Sequence, residues 1–168
     1  AEAYWLSADE RGVTIVGADE QGLFYGVQSL LQSVAEASQL ERGTVTDWPD
    51  VRFRGTVEGF YGTPWSHEAR LRQIDFYGRN KLNTYIYGPK DDLYHRHRWR
   101  RPYPEEEAQR ISELANYARE HGVNFCWAIH PGVDIRWNDA DRDTLVAKLE
   151  SVYRLGVRSF AVFFDDIS

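Results

Sequence analysis

The stretch Leu82-Asn83-Thr84-Tyr85-Ile86-Tyr87-Gly88-Pro89-Lys90-Asp91-Asp92 joins a β-prone run directly to a polar cluster. Its first part is rich in the aromatic and β-branched residues that strands favour, and glycine and proline then end it. Apolar periodicity and helix start signals predict helices at about residues 66–79, 104–120 and 139–155. Four β-prone runs, one of which is the first part of the stretch quoted above, alternate with these helices. They are Arg54 to Glu58, Leu82 to Tyr87, Val123 to Ile129 and Arg158 to Phe164.

Strand-helix alternation of this kind predicts right-handed crossovers and a parallel sheet. In a (β/α)8 barrel, the clusters after the four strands would gather on the face that carries the chemistry of barrel enzymes. A dinucleotide-binding sheet is disfavoured, because Gly59-Phe60-Tyr61-Gly62 does not match G-x-G-x-x-G. We therefore predict an α/β fold, the first half of a (β/α)8 TIM barrel, in a fragment that ends after the fourth strand. The clusters are Glu58-Gly59-Phe60-Tyr61-Gly62, Gly88-Pro89-Lys90-Asp91-Asp92, His130-Pro131-Gly132 and Asp165-Asp166.

The first 45 residues follow a different pattern. Two β-like runs, Ala3 to Leu6 and Val13 to Val16, precede a helical segment with one apolar face. That face consists of Leu23, Val27, Leu30, Leu31 and Val34. The short polar segment Thr46 to Asp50 contains a proline and is interpreted as a boundary. The predicted domains are therefore residues 1–45, the end of a small α/β domain, and residues 46–168, the first half of the barrel.

Composition narrows the classes of partner. Acidic residues outnumber basic ones, 26 to 20, and the net charge of -6 argues against nucleic acid or an anionic membrane as the main partner.

The single cysteine, Cys126, excludes an internal disulfide and a multi-thiolate metal site. No stretch approaches the roughly 20 apolar residues of a membrane span. No signal peptide is visible, which leaves the compartment unknown and compatible with secretion or a bacterial periplasm.

Asp165 and Asp166 follow the apolar run Phe160 to Phe164 and are the foremost candidates for catalysis. Adjacent carboxylates at a buried strand end repel each other and are costly to remove from water, which favours a site that uses them. The alternative is that they cap a following helix or return the chain to solvent. An ordinary retaining glycosidase places two carboxyls about 5–5.5 Å apart across the sugar. Two neighbouring residues on one loop reach that arrangement with difficulty. They are better suited to a mechanism in which one protonates the leaving oxygen and the other holds a nucleophile that belongs to the substrate.

Two further strand-end residues are candidates for ligand binding. Lys90 would project an ammonium over the barrel mouth towards sugar hydroxyls, or alternatively form a salt bridge with Asp91 or Asp92. Gly59 and Gly62 would allow backbone to approach a ligand, although tight-turn geometry explains them equally well.

The basic run His95-Arg96-His97-Arg98-Trp99-Arg100-Arg101 could suggest zinc or phosphate. No third ligand has metal spacing, and the run is short in an acidic protein, so a solvated loop is the favoured interpretation. His130 is a weak candidate for lining the pocket and receives no role. No metal site and no cofactor are predicted.

Four segments of the chain carry a resemblance to a known family: Arg54 to Trp65, Leu82 to Asp92, Trp127 to Gly132 and Phe160 to Ile167. Together they resemble the O-GlcNAcase-like β-N-acetylglucosaminidases of glycoside hydrolase family eighty-four. In addition, Asp19 to Gly26 is similar to the end of the small α/β domain that precedes the barrel in such hexosaminidases.

The resemblance implies retaining hydrolysis in which the substrate acetamido group forms an oxazoline intermediate. It implies that Asp165 polarises the acetamido N–H and that Asp166 is the general acid and then the general base. Gly59 would offer its carbonyl oxygen to the sugar and Lys90 would bind hydroxyls. The expected partner is a glycoprotein or glycan bearing N-acetylglucosamine. The family's remaining pocket residues lie on later strands, so this stretch is not expected to be a competent enzyme by itself.

Alternatives of other classes remain open. One is a carbohydrate-binding protein with the same fold and no turnover, and another is a hexosaminidase directed at mucins or glycosaminoglycans. A third is an aldolase or enolase-type barrel enzyme that uses Lys90 and a metal.

Overall fold

The computed structural model describes residues 1–36 and 40–164. The chain divides into two units. The first comprises Ala1–Arg54 with Gly78–Leu82, and the second comprises Gly55–Tyr77 with the residues from Asn83 onward.

The first unit is a three-stranded antiparallel sheet with one helix. Its strands, in the order β2-β1-β3, are β1 (Tyr4–Asp9), β2 (Gly12–Gly17) and β3 (Gly43–Asp47), and its helix is α1 (Glu20–Glu36). Tyr4, Leu6 and Tyr25 form the buried core, since alternate side chains of β1 point towards the helix. Gly26 brings α1 close to the sheet, because a Cβ there would lie 2.5 Å from Ile15 Cγ2.

Two findings in this unit were not expected. The strand β3 was missed, and it includes Thr46 and Asp47, which had been interpreted as part of a boundary segment. Five residues carry too little periodicity to be recognised, and β3 forms because β1 offers it a pairing edge, with Leu6 opposite Val45. In addition, much of the apolar face of α1 is exposed, because the helix packs on the sheet through its other side. The exposed residues are Leu23, Val27, Leu31 and Val34.

The second unit alternates strands and helices. In chain order it contains β4 (Gly55–Glu58), α2 (His67–Arg79), β5 (Thr84–Tyr87), α3 (Glu105–Glu120), β6 (Asn124–Ile129), a 3-10 turn (Pro131–Val133), α4 (Asp139–Arg154) and β7 (Ser159–Val162). The strands form one parallel sheet in the order β4-β5-β6-β7. This architecture confirms the predicted α/β fold with successive strands of a partial barrel.

Local signals explain where the helices begin and end. The Asn138 side chain accepts a hydrogen bond from the Asp141 amide at 2.9 Å and caps α4. Three glutamates occupy the first turn of α3, where negative charge stabilises the helix dipole. Gly122 and Gly156 have φ values of 66° and 102° just after α3 and α4, a conformation that glycine adopts without strain.

One face of the parallel sheet forms an aromatic core against the helices. Tyr85 lies opposite Phe125 and Tyr87 opposite Trp127, and all four side chains are buried. The intervening positions on the other face are smaller, with Cys126 and Ala128 on β6. Space for a pocket is therefore left on this second face, near the carboxyl ends of the strands. No helix in the described ranges is long and apolar enough to cross a lipid bilayer.

Candidate functional site

A pocket of about 480 Å³ lies at the carboxyl ends of the four parallel strands. This volume is within the roughly 300–1,000 Å³ usual for small-molecule sites. The pocket brings together Gly59, which follows β4, and Lys90, which follows β5. Its lining residues are Val57, Gly59, Gly88, Lys90, His95, His130, Val162, Phe163 and Phe164.

Asp165 and Asp166 lie outside the described residues. The chain just before them is attached to the end of β6, because the Phe163 amide donates to the Ile129 carbonyl oxygen at 2.7 Å. Phe163 and Phe164 both line the pocket. The described part of the chain therefore reaches the pocket wall immediately before the two aspartates.

Lys90 sits at the edge of this pocket. Its ammonium lies 5.0 Å from the centroid of the Tyr61 ring, which is within the range of a cation–π contact. Asp92, one of the two salt-bridge partners considered for Lys90, accepts hydrogen bonds from four other groups. Oδ2 accepts from the Tyr87 hydroxyl at 2.9 Å and the Tyr103 hydroxyl at 2.6 Å. Oδ1 accepts from the amides of Tyr94 and His95 at 2.8 and 3.3 Å.

The two tyrosine donors to Asp92 remain protonated. Burial, together with the nearby negative charge of Asp92, raises the pKa of both Tyr87 and Tyr103 well above the usual range. The Asp92 carboxylate consequently acts as an anchor of the turn that carries Lys90.

Gly59 occupies an open position beside the pocket. Its φ is not in the positive region, whereas that of Gly62 is 108°. A Cβ on Gly59 would meet Val57 Cγ1 at 3.5 Å and the Gly88 carbonyl oxygen at 3.8 Å, which are ordinary contacts. Tight-turn geometry therefore accounts for Gly62, but neither geometry nor crowding by described residues requires a glycine at 59.

Glu58, which precedes Gly59, belongs to the strand-end cluster recognised in the sequence, but its structural role was not predicted. Its carboxylate is buried and accepts two hydrogen bonds from Arg70 on α2. It also accepts one from the Trp65 amide at 3.1 Å and one from the Tyr85 hydroxyl. The signal in the sequence for this ion pair was weak. It consisted of a charged residue at the end of a strand, Glu58, and an arginine twelve positions later, Arg70.

The interpretation of residues 95–101 as a solvated loop is wrong for two of them. His95 and Trp99 are buried, and burial lowers the pKa of His95. The Trp99 indole N–H donates to Asp134 at 2.8 Å. Arg100 pairs with Asp134 and Asp141, each at 2.6 Å. These partners lie more than thirty residues away in sequence, so no local pattern could reveal them.

His130 lies at the end of β6, is buried and lines the pocket. Its amide donates to the His95 carbonyl oxygen at 2.7 Å, which connects the ends of β5 and β6. Within residues 1–36 and 40–164, no group of three or more His, Cys, Asp or Glu side chains is placed to hold a metal ion.

Comparison with known families agrees with this geometry. The sequence profile described as beta-N-acetylglucosaminidase matches residues 54–168. The chain belongs to this family. A second profile, glycosyl hydrolase family 20, domain 2, matches residues 1–48. Together with the relatives and solved structures that follow, these profiles confirm the resemblance to O-GlcNAcase-like enzymes of glycoside hydrolase family eighty-four.

Curated relatives and solved structures show the same likeness. The chain is 47% identical over 114 residues to the Protein O-GlcNAcase of Rattus norvegicus, covering 67% of this chain and 12% of that protein. It is 31% identical over 91 residues to a Beta-hexosaminidase of Vibrio vulnificus, covering 54% of this chain and 11% of that protein.

The structure of CpGH84B superposes with a TM-score of 0.94 at 47% identity, over 99% of this chain and 30% of that one. A mutant of the Thermobaculum terrenum O-GlcNAc hydrolase superposes with a TM-score of 0.67 at 45% identity, over 70% of this chain and 26% of that one. The chain thus spans less than a third of each of these relatives.

Proposed function

We propose that the protein is a retaining glycoside hydrolase that removes β-linked N-acetylglucosamine from protein serine or threonine, or from the ends of glycans. The observation that carries the proposal is the shared pocket of Gly59 and Lys90, whose wall at Phe163 and Phe164 leads directly into Asp165-Asp166. Family membership supports the same chemistry. The division into two domains, drawn from the sequence at residues 1–45 and 46–168, also remains our proposal. The family profiles that match residues 1–48 and 54–168 support the division, and β3 extends across the limit to Asp47.

In the proposed reaction the nucleophile belongs to the substrate. The acetamido oxygen attacks the anomeric carbon as the glycosidic bond breaks, and Asp166 gives its proton to the leaving oxygen. Asp165 accepts a hydrogen bond from the acetamido N–H and stabilises the positive charge that develops as the oxazoline ring closes. Asp166 then removes a proton from the water that opens the oxazoline. Because each of the two steps inverts the anomeric carbon, the sugar is released with its original anomeric configuration.

The two binding residues would hold the sugar from adjacent strand ends. The Lys90 ammonium has three N–H donors and no acceptor, which suits it to sugar hydroxyl oxygens. Gly59 would direct its carbonyl oxygen to a sugar hydroxyl, and the lack of a side chain leaves room for the ring. No cofactor is part of this proposal.

The first test measures turnover of an aryl β-N-acetylglucosaminide by the full-length protein and its Asp165→Asn and Asp166→Asn variants. We expect kcat/KM to fall by about 10²–10⁴-fold in Asp166→Asn, the range typical of general acid–base groups. In Asp165→Asn we expect a loss of about 10²–10³-fold, the range typical of a group that stabilises developing charge. Asp143→Asn, which alters an exposed carboxylate on α4, is the control and should keep parental turnover. Parental turnover in both test variants would refute the assignment of the pair.

The second test distinguishes a substrate nucleophile from a protein nucleophile. Fluorine on the N-acetyl group withdraws electrons and weakens the acetamido oxygen, so kcat/KM should fall steadily from the acetyl to the trifluoroacetyl substrate. A flat rate across the series would exclude the acetamido mechanism. Binding of N-acetylglucosamine without any turnover would instead favour the carbohydrate-binding alternative.

A further inference from the structure

His95 is a buried side chain that lines the candidate pocket but has no part in the proposed reaction. Three hydrogen bonds place it between the ends of β5 and β6. Its ring Nε2 lies 2.8 Å from the carbonyl oxygen of Pro89. Its amide donates to Asp92 Oδ1, and its carbonyl oxygen accepts from the His130 amide. One residue thereby connects the turn after β5 with the turn after β6.

The chemistry of the contact to Pro89 identifies the tautomer. A carbonyl oxygen can only accept, so Nε2 must carry the hydrogen. Nδ1 is buried and has no hydrogen-bond partner among residues 1–36 and 40–164, and burial lowers the pKa of the ring. The neutral tautomer with its hydrogen on Nε2 satisfies these conditions, since a second proton on Nδ1 would find no acceptor among those residues.

The hydrogen bond from His95 is made to the peptide group that joins Pro89 to Lys90. A lysine side chain is long and flexible, so its ammonium reaches a defined place only if the backbone that carries it is held. On the far side of Lys90, the Asp92 carboxylate holds the turn through four hydrogen bonds. On the near side, the Pro89 carbonyl oxygen accepts from the Asp92 amide at 3.1 Å and from His95 Nε2 at 2.8 Å, which makes His95 the side-chain donor at this position.

We propose that His95 is a positioning residue that fixes the Pro89 carbonyl group and thereby places the Lys90 ammonium over the pocket. The inference rests on the proposed sugar-binding role of Lys90. In this role His95 acts through Lys90, and its imidazole serves as a neutral hydrogen-bond donor within the wall of the site.

The first experiment compares substitutions of His95 in the full-length protein with an aryl β-N-acetylglucosaminide as substrate. The amide of His95→Gln can reach the place of Nε2, whereas His95→Asn is one carbon too short and His95→Phe fills the space without a donor. We expect His95→Gln to stay within about threefold of the parental kcat/KM. His95→Asn and His95→Phe should lose about tenfold or more, mainly through KM, because a contact to bound sugar is weakened.

His97 provides the matched control. It lies two residues away, is exposed, and its change to Phe or Asn should leave both kinetic constants unchanged. Equal losses for His95→Gln and His95→Asn would overturn the inference, since the position of the donor would then be irrelevant. This comparison remains decisive if His95→Phe fails to fold.

The second experiment is a double-mutant cycle with Lys90→Met. If His95 acts through Lys90, His95→Asn should cause little further loss of kcat/KM in the Lys90→Met background. The same fold loss in both backgrounds would show a purely structural role and overturn the inference alone. Parental kcat/KM in Lys90→Met by itself would refute the proposed binding role of Lys90 and the inference with it.

Discussion

Arg70 holds the buried carboxylate of Glu58 with two parallel hydrogen bonds, from Nε to Oε2 at 2.9 Å and from Nη2 to Oε1 at 2.8 Å. Glu58 is the last residue of β4 and Arg70 lies on α2, so the pair connects the first barrel strand to its helix. The Tyr85 hydroxyl also donates to Glu58, which extends the connection to β5. This buried pair therefore helps to hold the strand end from which Gly59 faces the pocket.

The first prediction concerns the stability of this pair. Arg70→Met would leave the Glu58 carboxylate buried without its counter-charge, and we expect the free energy of unfolding to fall by about 3–5 kcal/mol. Urea denaturation followed by circular dichroism measures the change. Arg142→Met, which removes exposed ion pairs with Asp139 and Asp143, should change stability by less than about 1 kcal/mol. A loss no larger than that of this control would show that Arg70 is not needed to compensate Glu58.

The second prediction distinguishes two glycines of the first barrel strand, Gly55 at the start of β4 and Gly59 just after its end. A Cβ on Gly55 would lie 1.6 Å from the Thr84 carbonyl oxygen, so Gly55→Ala must separate β4 from β5. We expect it to destabilise the protein by about 3 kcal/mol or more, in keeping with severe overpacking.

Gly59→Ala meets only ordinary contacts and should leave the unfolding temperature unchanged. It should nevertheless raise KM for an aryl β-N-acetylglucosaminide, because a methyl group enters the pocket. Unfolding temperature and steady-state kinetics, measured on both variants, test the pair. Unchanged kinetics in Gly59→Ala would contradict a close approach of ligand at this position.

The third prediction concerns Lys148 on α4, whose ammonium donates to the Arg101 carbonyl oxygen at 2.6 Å. Burial lowers its pKa from 10.5 to about 8, and the nearby charges of Asp92 and Glu107 only partly oppose this shift. Between these two pKa values the unfolded chain binds a proton that the folded protein has released. Stability contributed by this residue must therefore increase as the pH rises through that window.

The measurement compares the parent with Lys148→Met. The difference in unfolding free energy, parent minus variant, should increase by about 2 kcal/mol between about pH 7.5 and 9.5. Using the difference removes contributions from the other titrating groups. A difference that does not change with pH would show that Lys148 titrates normally in the folded protein.

The fourth prediction concerns acid stability. Hydrogen bonds from Arg100 and from the Arg136 amide lower the pKa of Asp141 from 3.8 to about 2. The stabilisation is therefore fully present above pH 3.8 and is lost as the pH falls towards 2. Replacing Asp141 with Asn should lower stability at neutral pH, with a difference from the parent that shrinks over this acidic window. Acid unfolding of Asp139→Asn, an exposed neighbour, serves as the control, and parallel pH profiles for the parent and Asp141→Asn would contradict the prediction.

Much of the second unit was accessible from sequence because its signals are local. The strands β4 to β7 were recognised from short β-prone runs, and the helices from periodicity and from caps such as Asn138. The strand β3 was not recognised, since its formation depends on the edge of β1. Gly59 and Lys90 were selected as strand-end residues, and parallel pairing is the reason that they share a pocket.

The sequence by itself determined the order of strands and helices in the second unit, the family, and the candidate residues at the strand ends. These follow from periodicity, helix caps and motifs that need no knowledge of distant partners. Only the tertiary structure decided that Glu58 pairs with Arg70, that Arg100 reaches Asp141, and that His95 is buried beneath the turn of Lys90. Hydrogen bonds and burial of this kind depend on which elements pack together, so residues far apart in sequence acquire their roles only when the chain has folded.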